Sequence, residues 1–247
     1  MRRVVCRRSQ VYQGPLVLVN RSAPLRHTAP GDLVPVDSRW PDILLDRRAA
    51  QLLAACVQRV NGLREIVPVS GWRSQTEQQS IWDSTLAEHG ADFTHRYVAL
   101  PGCSEHQTGL AIDLGKAAQH IDFIRPEFPD EGVCGAFRRL AADYGFIQRY
   151  RREKESITGI SLEPWHFRYV GAPHARLIEG NGLCLEEYSA FLRRGDQVCP
   201  LPGGRAVRVS FVPCTGEETE LTLPDGCCQI SGDNQDGFIV TAWGRPL

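Results

Sequence analysis

Three stretches of this 247-residue chain concentrate side chains that can do chemistry: SGWRSQTEQQ (70–79), PGCSEHQTGLAID (101–113) and LEPWHFRYVG (162–171). In the middle stretch His106 lies seven residues before Asp113, and Gly109 between them permits a sharp turn that would bring both side chains to one point. A strand running Leu110, Ala111, Ile112, Asp113 buries most of its length, so a carboxylate at its end needs a partner. Zinc is one such partner, since imidazole nitrogen and carboxylate oxygen both ligate it at about 2 Å. A solvated histidine with a hydrogen-bonded aspartate is the other reading of the pair.

The third stretch adds to the zinc reading. Glu163 and His166 are three apart with Pro164 between them, which disfavours the helical presentation of HExxH peptidases and makes His166 a single ligand arriving from the start of a strand. Two histidines and one aspartate would leave a fourth position open for water, the arrangement of a catalytic site. Glu163, outside that ligand set, is suited to take the proton from the water. Arg73 could stabilise the negative oxygen that develops on an attacked carbonyl, or could be a surface arginine at a helix start. A cation is unfavourable beside a helix N-terminus, so an anionic partner for Arg73 is expected.

These residues need elements to position them. Asp46 to Glu65 carries Ala49, Leu52, Leu53, Cys56, Val57, Val60 and Leu63, the spacing of an amphipathic helix that covers a sheet. Ile66 to Ser70 reads as a short buried strand, and Ser74 with Glu77 forms a capping box that opens a helix through about Glu88. Further strands are expected at Gly109–Leu114, Phe146–Tyr150 and Phe167–Val170. Helices are expected at Glu131–Tyr144, stopped by Gly145, and at Leu185–Arg194, stopped by Gly195. The mixture lacks a regular βαβ alternation and a glycine-rich phosphate loop, which argues for α+β.

Beyond Gly195 the texture changes to short alternating runs such as AVRVSFV and GFIVTAW, separated by turn signals at Gly203-Gly204 and Asp225-Gly226. We read 1–195 as the main domain and 196–247 as a small all-β appendage of unassigned role. Within it SGDNQDG is a polar hairpin turn, because Gly232 stands where the first ligand of a calcium loop must be an aspartate.

A formal net charge of −1 provides no field to attract nucleic acid, so small-molecule or peptide chemistry is favoured. The basic start has only short apolar runs broken by Arg7, Arg8 and Gln10, so no signal peptide is expected, and no membrane span is found. Nine cysteines without a CxxC pair suit reduced thiols in the cytoplasm.

Taken together, the motifs resemble the zinc D,D-peptidase family that includes the VanX, VanY and VanXY enzymes of vancomycin resistance. Its SxHxxGxAxD pattern stands here as Ser104, His106, Gly109, Ala111 and Asp113, and its ExxH element as Glu163 to His166. The stretch Gly145 to Gly171 is similar to the carboxypeptidase and bifunctional branches over nearly its whole length, and the likeness spans roughly 40–190. The resemblance implies helices on a small antiparallel sheet with a zinc cleft, of the D,D-peptidase/hedgehog kind. It implies Zn2+ on His106, Asp113 and His166, Glu163 as base and then acid, and Arg73 as the transition-state clamp. Ser104 and Gln78 match positions that help hold the substrate. The implied substrate is a peptide or peptidoglycan precursor ending in D-alanyl-D-alanine, cut as a carboxypeptidase or dipeptidase, and removing that terminus would remove vancomycin's target. The rivals are an L-alanyl-D-glutamate endopeptidase or lysin, and a zinc-containing wall-peptide-binding module without catalysis. Asp92–Pro101 and Asp122–Asp130 are candidate cleft walls. Oligomeric state is left open.

Overall fold

The computed structural model describes residues 1–26, 31–201, 203 and 205–244. In chain order the strands and helices of the first half are β1 (Arg2–Arg7), β2 (Leu33–Asp37), β3 (Trp40–Asp46), α1 (Arg47–Arg59), β4 (Ile66–Ser70), α2 (Gln75–Tyr97) and β5 (Ala111–Lys116). Then come α3 (Gly132–Leu140), β6 (Phe146–Tyr150), α4 (Glu155–Thr158), β7 (Glu163–Tyr169), α5 (Ala172–Gly180) and α6 (Leu185–Leu192). The remaining strands are β8 (Gln197–Leu201), β9 (Arg205–Pro213), β10 (Glu218–Leu223), β11 (Cys227–Gly232) and β12 (Gly237–Gly244).

The sheet that matters for function is antiparallel, in the order β4-β5-β7-β6. Along β5 and β7 the side chains alternate faces. Ile112 lies opposite Phe167, and both join Leu53, Cys56 and Val57 of α1 and Cys134 and Phe137 of α3 in the main core. One residue along, Asp113 lies opposite His166, and Ser70 lies opposite Asp113 on the other side. Directly opposed residues of an antiparallel pair share a face. The register that buries Ile112 and Phe167 beneath the helices therefore sends Asp113 and His166 together to the opposite face.

The α+β class matches the expectation, while several boundaries differ for identifiable reasons. α1 opens where its cap demands, the Asp46 carboxylate accepting the N–H groups of Arg48 and Ala49. It stops at Arg59 rather than Glu65, because Asn61 takes a left-handed φ of 56° and the Gly62 N–H turns back to the Val57 carbonyl. α2 has the expected Ser74/Glu77 capping box but runs on to Tyr97, broken at Gly90, whose φ of 79° reorients the last turns. The helix expected over Glu131–Tyr144 is α-helical to Leu140 and then 3-10 to Tyr144. β7 begins at Glu163, before the expected Phe167, and takes in Pro164 where its pairing with β6 is irregular and its pairing with β5 has not yet begun. α6 ends at Leu192, short of Arg194.

In the C-terminal region β11-β12-β9-β8 form a second antiparallel sheet, and β1 pairs with β10. Cys199, Val207, Val209 and Ile239 of this region share a buried cluster with Leu16, Leu18, Ile147 and Val170, and with residues of α5 and α6. SGDNQDG is a polar turn between β11 and β12, in which Asp233 Oδ1 accepts three backbone N–H groups. The turn at Asp225-Gly226 joins β10 to β11. Gly204 of the other expected turn lies outside the described residues. All nine cysteines are unpaired. Among the described residues no helix is long and apolar enough to cross a membrane.

Candidate active site and metal centre

The three expected ligands meet. His106 comes from a 3-10 turn (Glu105–Thr108) that ends on Gly109, whose left-handed φ of 72° swings the chain into β5 and so sets His106 beside Asp113. Ligand atoms of His106, Asp113 and His166, all buried, lie within 4.8 Å of one another. His106 Nε2 is 3.2 Å from Asp113 Oδ2, and His166 Nδ1 is 3.0 Å from Asp113 Oδ1. The two imidazole rings stand edge to face with centroids 4.9 Å apart.

Their hydrogen bonds show how a cation would fit. His106 Nδ1 is 2.7 Å from the Gly71 carbonyl, which fixes the donor on that nitrogen and leaves the Nε2 lone pair facing Asp113. Asp113 Oδ1 is buried without a hydrogen-bond partner despite its closeness to His166, so the two atoms point to a shared place rather than at each other. A buried carboxylate oxygen in that position suits a divalent ion. Two imidazole nitrogens and one carboxylate form an ordinary zinc donor set with a position to spare.

Glu163, opposite Tyr150 in the sheet, places Oε2 3.7 Å from His166 Nδ1, next to the ligands. Burial pushes its carboxyl up to about 8, with the Asp113 charge adding to the effect and His166 and Arg73 opposing it. Burial likewise drives His106 down to about 4, assisted by the Arg73 charge. Burial also acts to lower His166, but the carboxylates of Asp113 and Glu105 outweigh it and raise the imidazole to about 9.

Arg73 finds the anionic partner expected for it. Its Nη2 donates to Asp113 Oδ2 at 3.1 Å, while Nε donates to Ser70 Oγ and Nη1 to Gln78 Oε1. Gln78 is wholly buried; its amide donates to the Ala99 carbonyl and accepts from Arg73, so it stands behind the arginine. Ser104, also buried, lines the cleft together with Tyr97, Phe123, Trp165 and the ionisable groups above. These side chains converge on one cleft, so the proposed ligands, Glu163 and Arg73 all face the same space. Both expected wall segments contribute, through Tyr97 to Ala99 and through Phe123 and Ile124.

Sequence reasoning missed Glu105, Tyr150, Arg149 and Arg168. Tyr150 packs on the His166 ring at 4.9 Å, and Glu105 is fully buried against both arginines. The available signals were adjacency, Glu105 to His106 and Arg168 to the EPWH run, and the strand Phe146–Tyr150 with a charged residue in an otherwise buried segment.

The model of VanY, the D-alanyl-D-alanine carboxypeptidase family, matches residues 43–172. The chain belongs to this family. The bifunctional D-Ala-D-Ala dipeptidase and carboxypeptidase VanXYC of Enterococcus gallinarum is 42% identical over 179 residues, 72% of this chain and 94% of that one. A solved vancomycin-resistance D,D-dipeptidase, VanXYg, in complex with a D-Ala-D-Ala phosphinate analogue, is 47% identical with a TM-score of 0.96, covering 98% of this chain and 99% of the other. A solved D,D-pentapeptidase VanY of the VanB-type cassette, in complex with Zn(II), is 34% identical with a TM-score of 0.61, covering 71% and 98%. The VanXYg likeness extends past residues 40–190 and takes in the C-terminal strands.

Proposed function

We propose that this VanY-family protein hydrolyses the peptide bond between two D-alanines at the end of peptidoglycan precursors, using zinc held by His106, Asp113 and His166. The observation that carries this reading is the meeting of three ligand side chains from separate segments within 4.8 Å, with the buried carboxylate of Glu163 beside them.

Zinc bound there would supply Lewis-acid chemistry, easing the ionisation of water and polarising the carbonyl. Glu163 then takes the proton of the attacking water and returns it to the departing D-alanine amine. Burial alone favours the protonated carboxyl and a cation nearby would favour its ionised, basic form, so the same group can give a proton as well as take one. Arg73, held by Ser70 and Gln78, presents a fixed guanidinium to the oxygen that becomes negative during attack. Ser104 is available to the substrate from the cleft wall, and Gln78 contributes by holding Arg73.

The relatives named above act on D-Ala-D-Ala, which favours this reading over cleavage of L-alanyl-D-glutamate bonds. Presence of the base and arginine beside the ligands favours catalysis over a binding module. We place the reaction in the cytoplasm, a site that nine unpaired cysteines suit. There, removing D-Ala-D-Ala termini would deprive vancomycin of its target. Incubating the zinc-loaded protein with D-Ala-D-Ala, a pentapeptide stem and whole walls tests the proposal. Free D-alanine is expected from the first two, and release of L-alanyl-D-glutamate fragments instead would overturn it.

A further inference from the structure

The His166 ring has two ends with different surroundings. Nδ1 faces Asp113 and Glu163, at 3.0 and 3.7 Å, while Nε2 faces Glu105, with Oε2 at 3.5 Å. Nε2 and that oxygen are both buried, and among the described residues neither has a hydrogen-bond partner. One is a ring nitrogen that can donate and the other a carboxylate oxygen that can only accept. Leaving either uncompensated in the interior is costly.

We infer that Glu105 is a positioning residue of the metal centre, its carboxylate accepting the Nε2–H of His166 and so leaving Nδ1 as the nitrogen that ligates. The inference rests on the zinc hydrolase reading above. Ligating histidines ordinarily donate their other N–H to an oxygen that fixes tautomer and ring orientation.

The surroundings of Glu105 suit that task. Its other oxygen, Oε1, receives Arg149 Nε at 2.8 Å and lies 2.9 Å from Arg168 Nη1, which keeps Oε2 turned toward His166. Each arginine is held in turn. Arg149 forks onto both oxygens of Glu186 in α6, and Arg168 Nη2 donates to the Pro15 and Val17 carbonyls of the N-terminal segment. The metal ligand is thereby braced against parts of the chain outside the sheet. Two guanidiniums on Oε1, at 2.8 and 2.9 Å, pair the buried Glu105 charge and leave Oε2 as an acceptor.

Long-range proton–nitrogen correlation spectra of the 15N-labelled, zinc-loaded protein test the inference without altering the chain. His166 should carry its proton on Nε2, and a proton on Nδ1 would overturn the assignment. Glu105→Gln provides the second measurement. With its one oxygen kept on the arginines, the amide turns an NH2 toward Nε2, so donor meets donor. Zinc affinity, read by chelator competition, should fall roughly 10–100-fold. A variant with the parent's circular dichroism and zinc affinity within about twofold of the parent's would also overturn it. If that variant does not fold, the tautomer decides alone. Zinc content and D-alanine release of the same parent preparation separate the two failures: a parent without either fails the functional reading, while a parent with both and the wrong tautomer fails only this inference.

Discussion

Gly71 is not a ligand, yet replacing it with alanine should damage the metal centre. A Cβ at this position would sit 2.2 Å from the Leu44 carbonyl oxygen, where real Cβ contacts essentially never fall below 3.0 Å, so the backbones must separate by 3.0 − 2.2 = 0.8 Å. The displaced strand also makes the Trp72 N–H to Leu44 carbonyl bond of 2.7 Å, which would lengthen to the edge of bonding. A lost backbone hydrogen bond costs about 1 kcal/mol and forced overpacking about 1–3 kcal/mol, for a total of about 2–4 kcal/mol. At this chain length that is a fall in melting temperature of roughly 5–15 °C. The Gly71 carbonyl is also the acceptor that fixes His106 Nδ1, so zinc affinity should drop roughly 10–100-fold. Gly180→Ala, at the end of α5 with nothing within 4 Å of the added atom, is the control and should leave both quantities unchanged or slightly improved. Thermal melts and chelator competition on the two variants decide the matter. A Gly71→Ala protein that melts with the parent and binds zinc as tightly would mean that neither the Leu44 contact nor the Gly71 acceptor holds the site.

Glu163→Ala should keep stoichiometric zinc while D-alanine release falls by roughly 100-fold to 10,000-fold; undiminished turnover would remove Glu163 from the mechanism. Zinc uptake by the metal-free protein at pH 7 should release between one and two protons. His166, raised to about 9, is then almost fully charged, Glu163 at about 8 is mostly protonated, and His106 at about 4 is already neutral. Calorimetry in buffers of different ionisation enthalpy reads that number, and a buffer-independent heat would contradict it. His174, buried between Tyr188 and Thr241, is lowered by burial to about 3, so below its unfolded value of about 6.5 only the unfolded chain takes up this proton. Stability should therefore fall with acidity by about 1.4 kcal/mol per pH unit from this group between those limits, and His174→Asn should flatten the slope in urea melts.

Two of the three proposed ligands were legible together because their spacing is local: Gly109 sits between His106 and Asp113 and performs the turn that its freedom suggests. What brings His166 to them is the pairing of β5 with β7, which no spacing reveals, although the apolar residues Ile112 and Phe167 bear its imprint once the strands are aligned. Glu105 escaped notice because a glutamate beside a histidine ordinarily points to solvent, and only the arrival of Arg149 and Arg168 from β6 and β7 makes its burial tolerable. The early stop of α1 at Arg59, just before Asn61, and the break of α2 at Gly90 depend on residues with positive φ, and an amphipathic pattern does not register them. Gln78 matched a substrate-binding position by motif, but its place behind Arg73 follows from the helix phase and from the Ala99 carbonyl, which is remote in sequence.

The most direct test strips the protein with a chelator, returns zinc in measured steps and follows D-alanine release from D-Ala-D-Ala. Turnover should be absent at the start, rise in proportion to added metal and level off at one zinc per chain. Stripped protein that cleaves the dipeptide as fast as the reconstituted enzyme would contradict the account.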